Sequence, residues 1–228
     1  MKRSYFVTGT DTGVGKTLVT AALLRRLRES GVTVAGMKPV AAGAIDGPEG
    51  RANEDALLLQ AESSVRHPYP LVNPCLYEPA IAPHLAAAAS GVAIDVERIA
   101  AAFAALSTSA AVVLAEGAGG FLVPMDDERS LAELPSRLGM EVILVVGLRL
   151  GCLNHALLTA EAVAARGLAL AGWVGNCVVP EFARREANIA TLAARLPAPC
   201  LGIVPWLPDG DLGRAAAALA GAALLRPS

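Results

Sequence analysis

Short apolar runs alternate with longer amphipathic ones along most of this chain. Ser4 to Thr8 predicts a strand, and Gly9 to Thr17 a glycine-rich turn. Apolar residues at helical spacing run from Leu18 to Arg28 and stop at Gly31, after which Val32 to Met37 alternates like a strand into Lys38-Pro39. Asn53-Glu54-Asp55 reads as a helix start, with Asn53 capping a segment that carries Ala56 to Ala61. From His67 to Pro83 the prolines at 68, 70, 74, 79 and 83 predict an irregular excursion. Asp95 predicts a cap for a helix through Leu106, and Ala111 to Ala115 a buried strand ending at Glu116, before Gly117, Gly119 and Gly120. Pro135 predicts a kink or an end in a short helix of the 130s. Glu141–Val146, Leu170–Gly175 and Cys200–Val204 predict further strands, and Cys152–Arg166, Glu181–Arg195 and Leu212–Leu225 further helices. Strands that are almost uninterrupted apolar runs, separated by helices, imply an α/β fold. The expectation is three layers, a mostly parallel sheet with helices on both faces, and one domain over residues 1–228.

Composition narrows the classes. Of 228 residues, 54% are hydrophobic and 18% charged, which excludes a disordered chain. A net charge of −2 offers no basic surface, so neither nucleic acid nor an anionic membrane is an expected partner. Mean hydropathy is +0.49, yet the long charge-free run from Ile99 to Ala115 is broken by Ser107-Thr108-Ser109. A spanning helix needs roughly 20 mostly apolar residues, so this run reads as helix, polar turn and strand. Behind Met1-Lys2-Arg3 the apolar stretch is only Tyr5-Phe6-Val7, so no signal peptide and a cytoplasmic setting are expected. Cys75, Cys152, Cys177 and Cys200 are too scattered for a disulfide framework or a zinc site.

Lysine usage is more telling. The chain has 16 arginines but three lysines, Lys2, Lys16 and Lys38. Both interior lysines sit in turns after predicted strands, where a compact ammonium does what a planar guanidinium cannot. The segment Gly9-Thr10-Asp11-Thr12-Gly13-Val14-Gly15-Lys16-Thr17 follows a strand and opens a helix, the context of a phosphate-binding P-loop. Its glycines let backbone N–H groups converge on phosphate, Lys16 bridges β- and γ-phosphates, and the Thr17 hydroxyl ligates Mg²⁺. Generic spacing would put glycine at position 10, where Thr10 stands. Glu116, at the end of a predicted strand, and Asp55, at a helix start, are the candidate carboxylates around the metal.

With these residues in place the chain resembles the dethiobiotin synthetase family, ATP-dependent ligases of P-loop NTPase-like fold, from about Tyr5 to Leu207. The resemblance rests on Tyr5-Phe6-Val7-Thr8-Gly9-Thr10-Asp11-Thr12, Val14-Gly15-Lys16-Thr17, Lys38-Pro39-Val40, Asp55-Ala56, Val72-Asn73-Pro74 and Pro83-His84. It continues through Glu116-Gly117-Ala118-Gly119-Gly120, Leu150-Gly151-Cys152 with Asn154-His155, Ala171-Gly172-Trp173-Val174 with Asn176, and Pro205-Trp206-Leu207. The extra residue in the P-loop is a family feature. The resemblance implies that Gly13, Val14, Gly15, Lys16, Thr17 and Leu18 hold the triphosphate of ATP. Glu116, Gly117, Ala118 and Gly119 would adjoin the nucleotide, and Asn176, Cys177, Pro205, Trp206 and Leu207 would bind the base. It implies Thr17, Asp55 and Glu116 around Mg²⁺, and Lys38, Lys16 and Thr12 in catalysis. Thr12, Lys38 and Ala42 would touch the substrate, and Leu150, Gly151, Cys152 and Asn154 would do so from the second subunit of a homodimer. Ala42 stands where many members have serine, and Gly13 where some have glutamate.

The implied reaction closes the cyclic urea of dethiobiotin from 7,8-diaminononanoate and CO₂, with ATP converted to ADP and phosphate. The alternative is a nucleotide-switched ATPase of the partitioning or delivery type. Such proteins usually carry an additional lysine near the loop start, where this chain has Thr10-Asp11-Thr12. His67, His84 and His155 are assigned no role, and Trp173 and Trp206 are expected as core and pocket wall.

Overall fold

The computed structural model describes residues 2–47 and 50–227. Six strands form one parallel sheet: β1 (Arg3–Gly9), β2 (Val34–Met37), β7 (Val112–Gly120), β8 (Glu141–Leu148), β9 (Leu170–Cys177) and β10 (Cys200–Val204). Their spatial order is β10-β9-β8-β1-β7-β2. Small pairs lie beside it, β3 (Val40–Ala42) parallel to β6 (Cys75–Tyr77) and β4 (Ile45–Gly47) antiparallel to β5 (Gly50–Ala52). The helices are α1 (Lys16–Glu29), α2 (Glu54–Glu62), α3 (Tyr69–Val72), α4 (Pro83–Ser90), α5 (Val96–Ser109), α6 (Glu133–Leu138), α7 (Cys152–Ala164), α8 (Arg185–Arg195) and α9 (Leu212–Ala217). Among the described residues no helix is long and apolar enough to cross a membrane.

Period-two alternation loads both faces of the sheet. On β7, Val112 and Leu114 join Val19, Leu23 and Leu27 of α1 in one core, while Val113 and Ala115 join Ile99 and Leu106 of α5 in another. A third cluster packs Leu144, Val146 and Trp173 against α7 and α8. Trp173 is thus core, as expected. The α2 helix is clamped to α1 by Glu62, which pairs with Arg25 at 2.6 Å and Arg28 at 3.0 Å. Asn53 caps α2 through its side chain, and Asp95 caps α5.

Several expectations need correction. The stretch from His67 to Pro83 contains α3 and β6, because the prolines fall at helix starts and outside the strand rather than within them. The strand carrying Glu116 does not end there; it runs through the glycines, and Gly120 pairs with Gly9 beyond a register shift. Pro135 neither kinks nor ends α6. It lies in the first turn, where the absent N–H costs no helical bond. The helix expected from Glu181 begins at Arg185, after Arg184 at φ 57°. The closing helix stops at Ala217 and gives way to a 3₁₀ segment, Ala220–Leu225, whose Gly221 lies so close to β10 that a Cβ would come 2.7 Å from Leu201 Cα. The four cysteines are unpaired; Cys75, Cys152 and Cys177 are buried and Cys200 is exposed.

Candidate active site

The chain leaves β1 for β2 on one side of the sheet, whereas β8, β9 and β10 build outward on the other. The reversal opens a crevice at the carboxyl end of β1, where open α/β sheets bind ligands, and the glycine-rich loop fills it. Gly15 takes the left-handed φ of 83° at the cap of α1. A side chain there would collide with the Asn176 amide nitrogen. Contacts from distant parts of the chain hold the loop: Asn176 Nδ2 donates to the Val14 carbonyl at 2.9 Å, the Thr10 N–H to the Val145 carbonyl at 2.9 Å, Val14 is fully buried with Gly147 beside it, and Arg149 pairs with Asp11 at 2.7 Å. Asp11 Oδ1 accepts the Thr12 N–H at 2.7 Å, and its carbonyl accepts from Lys16 Nζ at 3.1 Å.

Beside the loop three elements converge. Lys38 follows β2, Asp55 lies in the first turn of α2, and Glu116 lies within β7. Lys38 Nζ donates to Glu116 Oε1 at 2.5 Å and Asp55 Oδ2 at 2.8 Å, with the Gly117 carbonyl at 3.4 Å. Thr17 Oγ1 donates to the same Glu116 Oε1 at 3.0 Å. Lys38 is 4% exposed and Glu116 not at all. Burial disfavours the Lys38 ammonium, but the facing Glu116 and Asp55 carboxylates outweigh it and hold the lysine above its ordinary value. Burial raises Asp55, and Lys38 more than reverses this, so its carboxyl stays below the usual range. Burial pushes Lys16 below its ordinary value against the pull of Glu116.

A cavity of about 660 Å³ opens over these groups. Its wall brings together Thr12, Gly13, Gly15, Lys16 and Thr17 with Lys38, Ala42, Asp55, Glu116, Ala118 and Gly119. The other expected residues lie outside that wall. Val14 and Gly117 are buried, Leu18 packs against the first core cluster, and Cys177 is packed in the third core cluster with Cys152. Leu207 is buried, Trp206 is 39% exposed, and Leu150 is 92% exposed at the start of α7 with Gly151 and Asn154 also exposed. Sequence reasoning missed Asn53, the Ala80-Ile81-Ala82-Pro83 wall and Val123. An isoleucine inside a proline-bounded loop was the available signal for the second of these. His67, assigned no role from the sequence, meets the Ser109 hydroxyl at 3.1 Å.

Two carboxylates and a hydroxyl offer only oxygen, the donor set of a hard divalent cation. Glu116 Oε2 is buried with no hydrogen-bond partner among the described residues, which fits an acceptor reserved for such an ion. Thr17, Asp55 and Glu116 therefore fit a hard divalent cation such as Mg²⁺.

Val123 is held on the wall by a loop closed at Pro124 and Ser130 and braced by Asp126. Hydrogen bonds from the Arg129 side chain, then from the Arg129 and Glu128 amides, hold the Asp126 carboxyl at about 2, against 3.8 for a free carboxyl. A lowered value means that the bracing is complete above pH 3.8 and is lost as pH falls through about 2. Amide exchange in this loop is expected to stay slow from neutral pH to pH 4 and to quicken in Asp126→Asn at pH 7. An unchanged Asp126→Asn loop would show that the brace is idle.

The AAA domain family matches residues 3–212. The ATP-dependent dethiobiotin synthetase BioD of Pseudomonas paraeruginosa is 51% identical over 217 residues, covering 95% of each chain. That of Aromatoleum aromaticum is 49% identical over 217 residues, covering 95% of this chain and 96% of its own. Among solved structures, the septum site-determining protein MinD of Pyrococcus horikoshii with Mg-ADP superposes at a TM-score of 0.60 with 18% identity, covering 98% and 95% of the two chains. A ParA family ATPase from Chlorobium tepidum superposes at 0.58 with 14% identity, covering 97% and 92%. These two likenesses concern the fold alone.

Proposed function

The chain belongs to the ATP-dependent dethiobiotin synthetase family, and on that premise we propose how its residues divide the work. It is an ATP-dependent ligase that makes dethiobiotin from 7,8-diaminononanoate and CO₂, with ADP and phosphate as co-products. In the proposed sequence one substrate amine adds to CO₂ and loses a proton, giving a carbamate. A carbamate oxygen attacks the γ-phosphorus and ADP leaves. The second amine then attacks the carbamoyl carbon, phosphate departs, and the five-membered ring closes. Both amines belong to one bound molecule, so the closure is intramolecular and gains the corresponding entropy.

The observation that supports this division most is the meeting of Lys16, Lys38, Thr17, Asp55 and Glu116 at one cavity. The backbone of Gly13 to Leu18 cradles the phosphates at the N-terminus of α1. Lys16 and Lys38 face the charge that builds on the transferring phosphoryl group and the carbamate. Thr17, Asp55 and Glu116 would hold Mg²⁺, which would supply charge neutralisation to the phosphates. Thr12 and Ala42 line the substrate side, while Gly117, Ala118 and Gly119 adjoin the nucleotide. Asn176 fixes the loop and borders the base site with Cys177, Pro205, Trp206 and Leu207. We assign Leu150, Gly151, Cys152 and Asn154 to the substrate carboxylate of a partner subunit in a homodimer. The 92% exposure of Leu150 supports that assignment. We read residues 1–228 as one ligase domain working in the cytoplasm, where unpaired cysteines persist.

ADP release is expected to require diaminononanoate and CO₂, with labelled CO₂ appearing in the product. Turnover without diaminononanoate, stimulated by a protein partner, would instead favour a nucleotide-switched ATPase, a reading that the relatives at about half identity do not favour. Lys16→Ala is expected to weaken nucleotide binding and turnover together, because Lys16 meets phosphate in ground and transition states alike. Equilibrium binding of a fluorescent ATP analogue beside steady-state rates checks this, and unchanged binding would remove the phosphate assignment.

A further inference from the structure

Lys38 is held at its backbone as well as at its ammonium. Its N–H donates to the Val72 carbonyl at 2.7 Å, and its carbonyl accepts from Asn73 Nδ2 at 2.7 Å. The same Nδ2 reaches the Cys75 carbonyl at 3.2 Å, so both amide protons of Asn73 are engaged. Asn73 Oδ1 accepts from the Tyr69 hydroxyl at 2.9 Å, and that hydroxyl oxygen accepts the Asn53 N–H at 2.7 Å. Asn53 continues the chain. Its Oδ1 accepts the Ala56 N–H at 3.3 Å at the cap of α2, and its Nδ2 donates to the Gly43 carbonyl at 3.2 Å. An unbroken run of hydrogen bonds thus joins the main chain of Lys38 to the first turn of α2, two residues from Asp55. Asn73 is 3% exposed and Asn53 9%. Tyr69 and Asn73 lie outside the cavity wall and have no contact with the cavity's charged groups through their own side chains.

We propose that Tyr69 and Asn73 are positioning residues for phosphoryl transfer, fixing where the Lys38 ammonium stands relative to Asp55 and Glu116. The physical reason is the register of two elements that share no ladder. Lys38 rides on the end of β2 and Asp55 on the start of α2. The far end of α2 is tied to β2 through Ser63 and Ser64, which bond Gly36 and Val34, while the near end, where Asp55 stands, is reached through residues 39–53. An amide–phenol network fixes that near end, with Asn73 and Asn53 buried, Tyr69 half-buried between them, and each polar group of the run satisfied. A shift of about 1 Å at a reacting group costs on the order of 10²-fold in rate, so loss of one link is expected to cost on the order of tenfold. The Val72-Asn73-Pro74 motif thereby gains a task. Val72 supplies the carbonyl for the Lys38 N–H, and Asn73 supplies the amide that turns back to its carbonyl.

The proposal rests on Lys38 as the catalytic lysine, and the test separates the two claims. Tyr69→Phe removes one oxygen and keeps the ring, leaving the Asn53 N–H and Asn73 Oδ1 without their partner. It is expected to lower kcat about tenfold while KM for ATP stays within about twofold. Ile99→Val, in the core under α5, serves as a control for lost stability and is expected to leave kcat unchanged. In a Lys38→Arg background Tyr69→Phe is expected to cost less than twofold, since a link that acts through Lys38 has nothing left to aim. An unchanged kcat in Tyr69→Phe, or the same factor lost in both backgrounds, would overturn the positioning role while leaving the catalytic lysine intact. A near-native Lys38→Ala enzyme would instead remove the catalytic reading itself. Asn73→Ala is expected to repeat the Tyr69→Phe pattern, and Tyr69→Phe decides the matter if that variant fails to fold.

Discussion

Lys38→Ala is expected to lower kcat by about 10²-fold or more while the affinity for ATP stays largely intact. Lys38 follows the edge strand β2 and is not part of the loop, and its ammonium faces two carboxylates and the space over them. It therefore meets charge that builds during transfer more than charge already present on bound nucleotide. Removing it also strands Glu116, fully buried, without the ammonium that balances it. Stability is expected to fall along with turnover, so rates should be compared at a temperature where circular dichroism shows both proteins folded. Lys38→Arg is expected to rescue poorly, because a planar guanidinium does not fit a slot closed by oxygens at 2.5 and 2.8 Å. A near-native Lys38→Arg enzyme would reduce Lys38 to a general positive charge.

Gly15→Ala is the second large effect, and Gly13→Ala supplies its measure. Both glycines have positive φ, 83° at Gly15 and 72° at Gly13. At Gly13 a Cβ meets nothing within 4 Å, so alanine bears only the left-handed strain, about 1–2 kcal/mol. At Gly15 the Cβ runs into the Asn176 amide, which must swing away and give up its bond to the Val14 carbonyl. Gly15→Ala is thus expected to lose the strain, that bond and the shape of the loop together. Its ATP affinity is expected to fall at least about tenfold further than that of Gly13→Ala, the equivalent of ~1.4 kcal/mol. Asn176→Ala combined with Gly15→Ala should restore part of the difference. Equal affinities for the two single variants would show that Asn176 yields freely.

Local signals in the sequence carried much of the fold and the centre of the site. The P-loop is contiguous, and Lys38 and Glu116 each end or interrupt an apolar run, so periodicity alone pointed to them. The distance between Lys38, Asp55 and Glu116 was not legible, since it depends on β2 lying next to β7 and on α2 being clamped by Glu62. The role of the glycines after Glu116 was misread for a related reason. They look like a turn, yet they are strand residues made small by neighbours distant in sequence: Phe6 would lie 2.8 Å from a Cβ at Gly117, and the Thr12 hydroxyl 3.2 Å from one at Gly119. The alanine-rich C-terminal stretch carries too little side-chain contrast to mark its break after α9. Helix α3 and strand β6 were hidden because prolines that bound elements were read as prolines that exclude them.

The strand order has a consequence for how the chain is made. β1 lies at the middle of the sheet, and its neighbours β7 and β8 begin at Val112 and Glu141. During synthesis Tyr5, Phe6 and Val7 must wait, apolar and unpaired, while more than a hundred residues emerge. The loop closures that finally enclose them are long and entropically costly. The phosphate loop hangs from that same strand. Nucleotide therefore has no formed site to greet on the nascent chain, and the first ATP is bound only after the middle of the sheet has been filled.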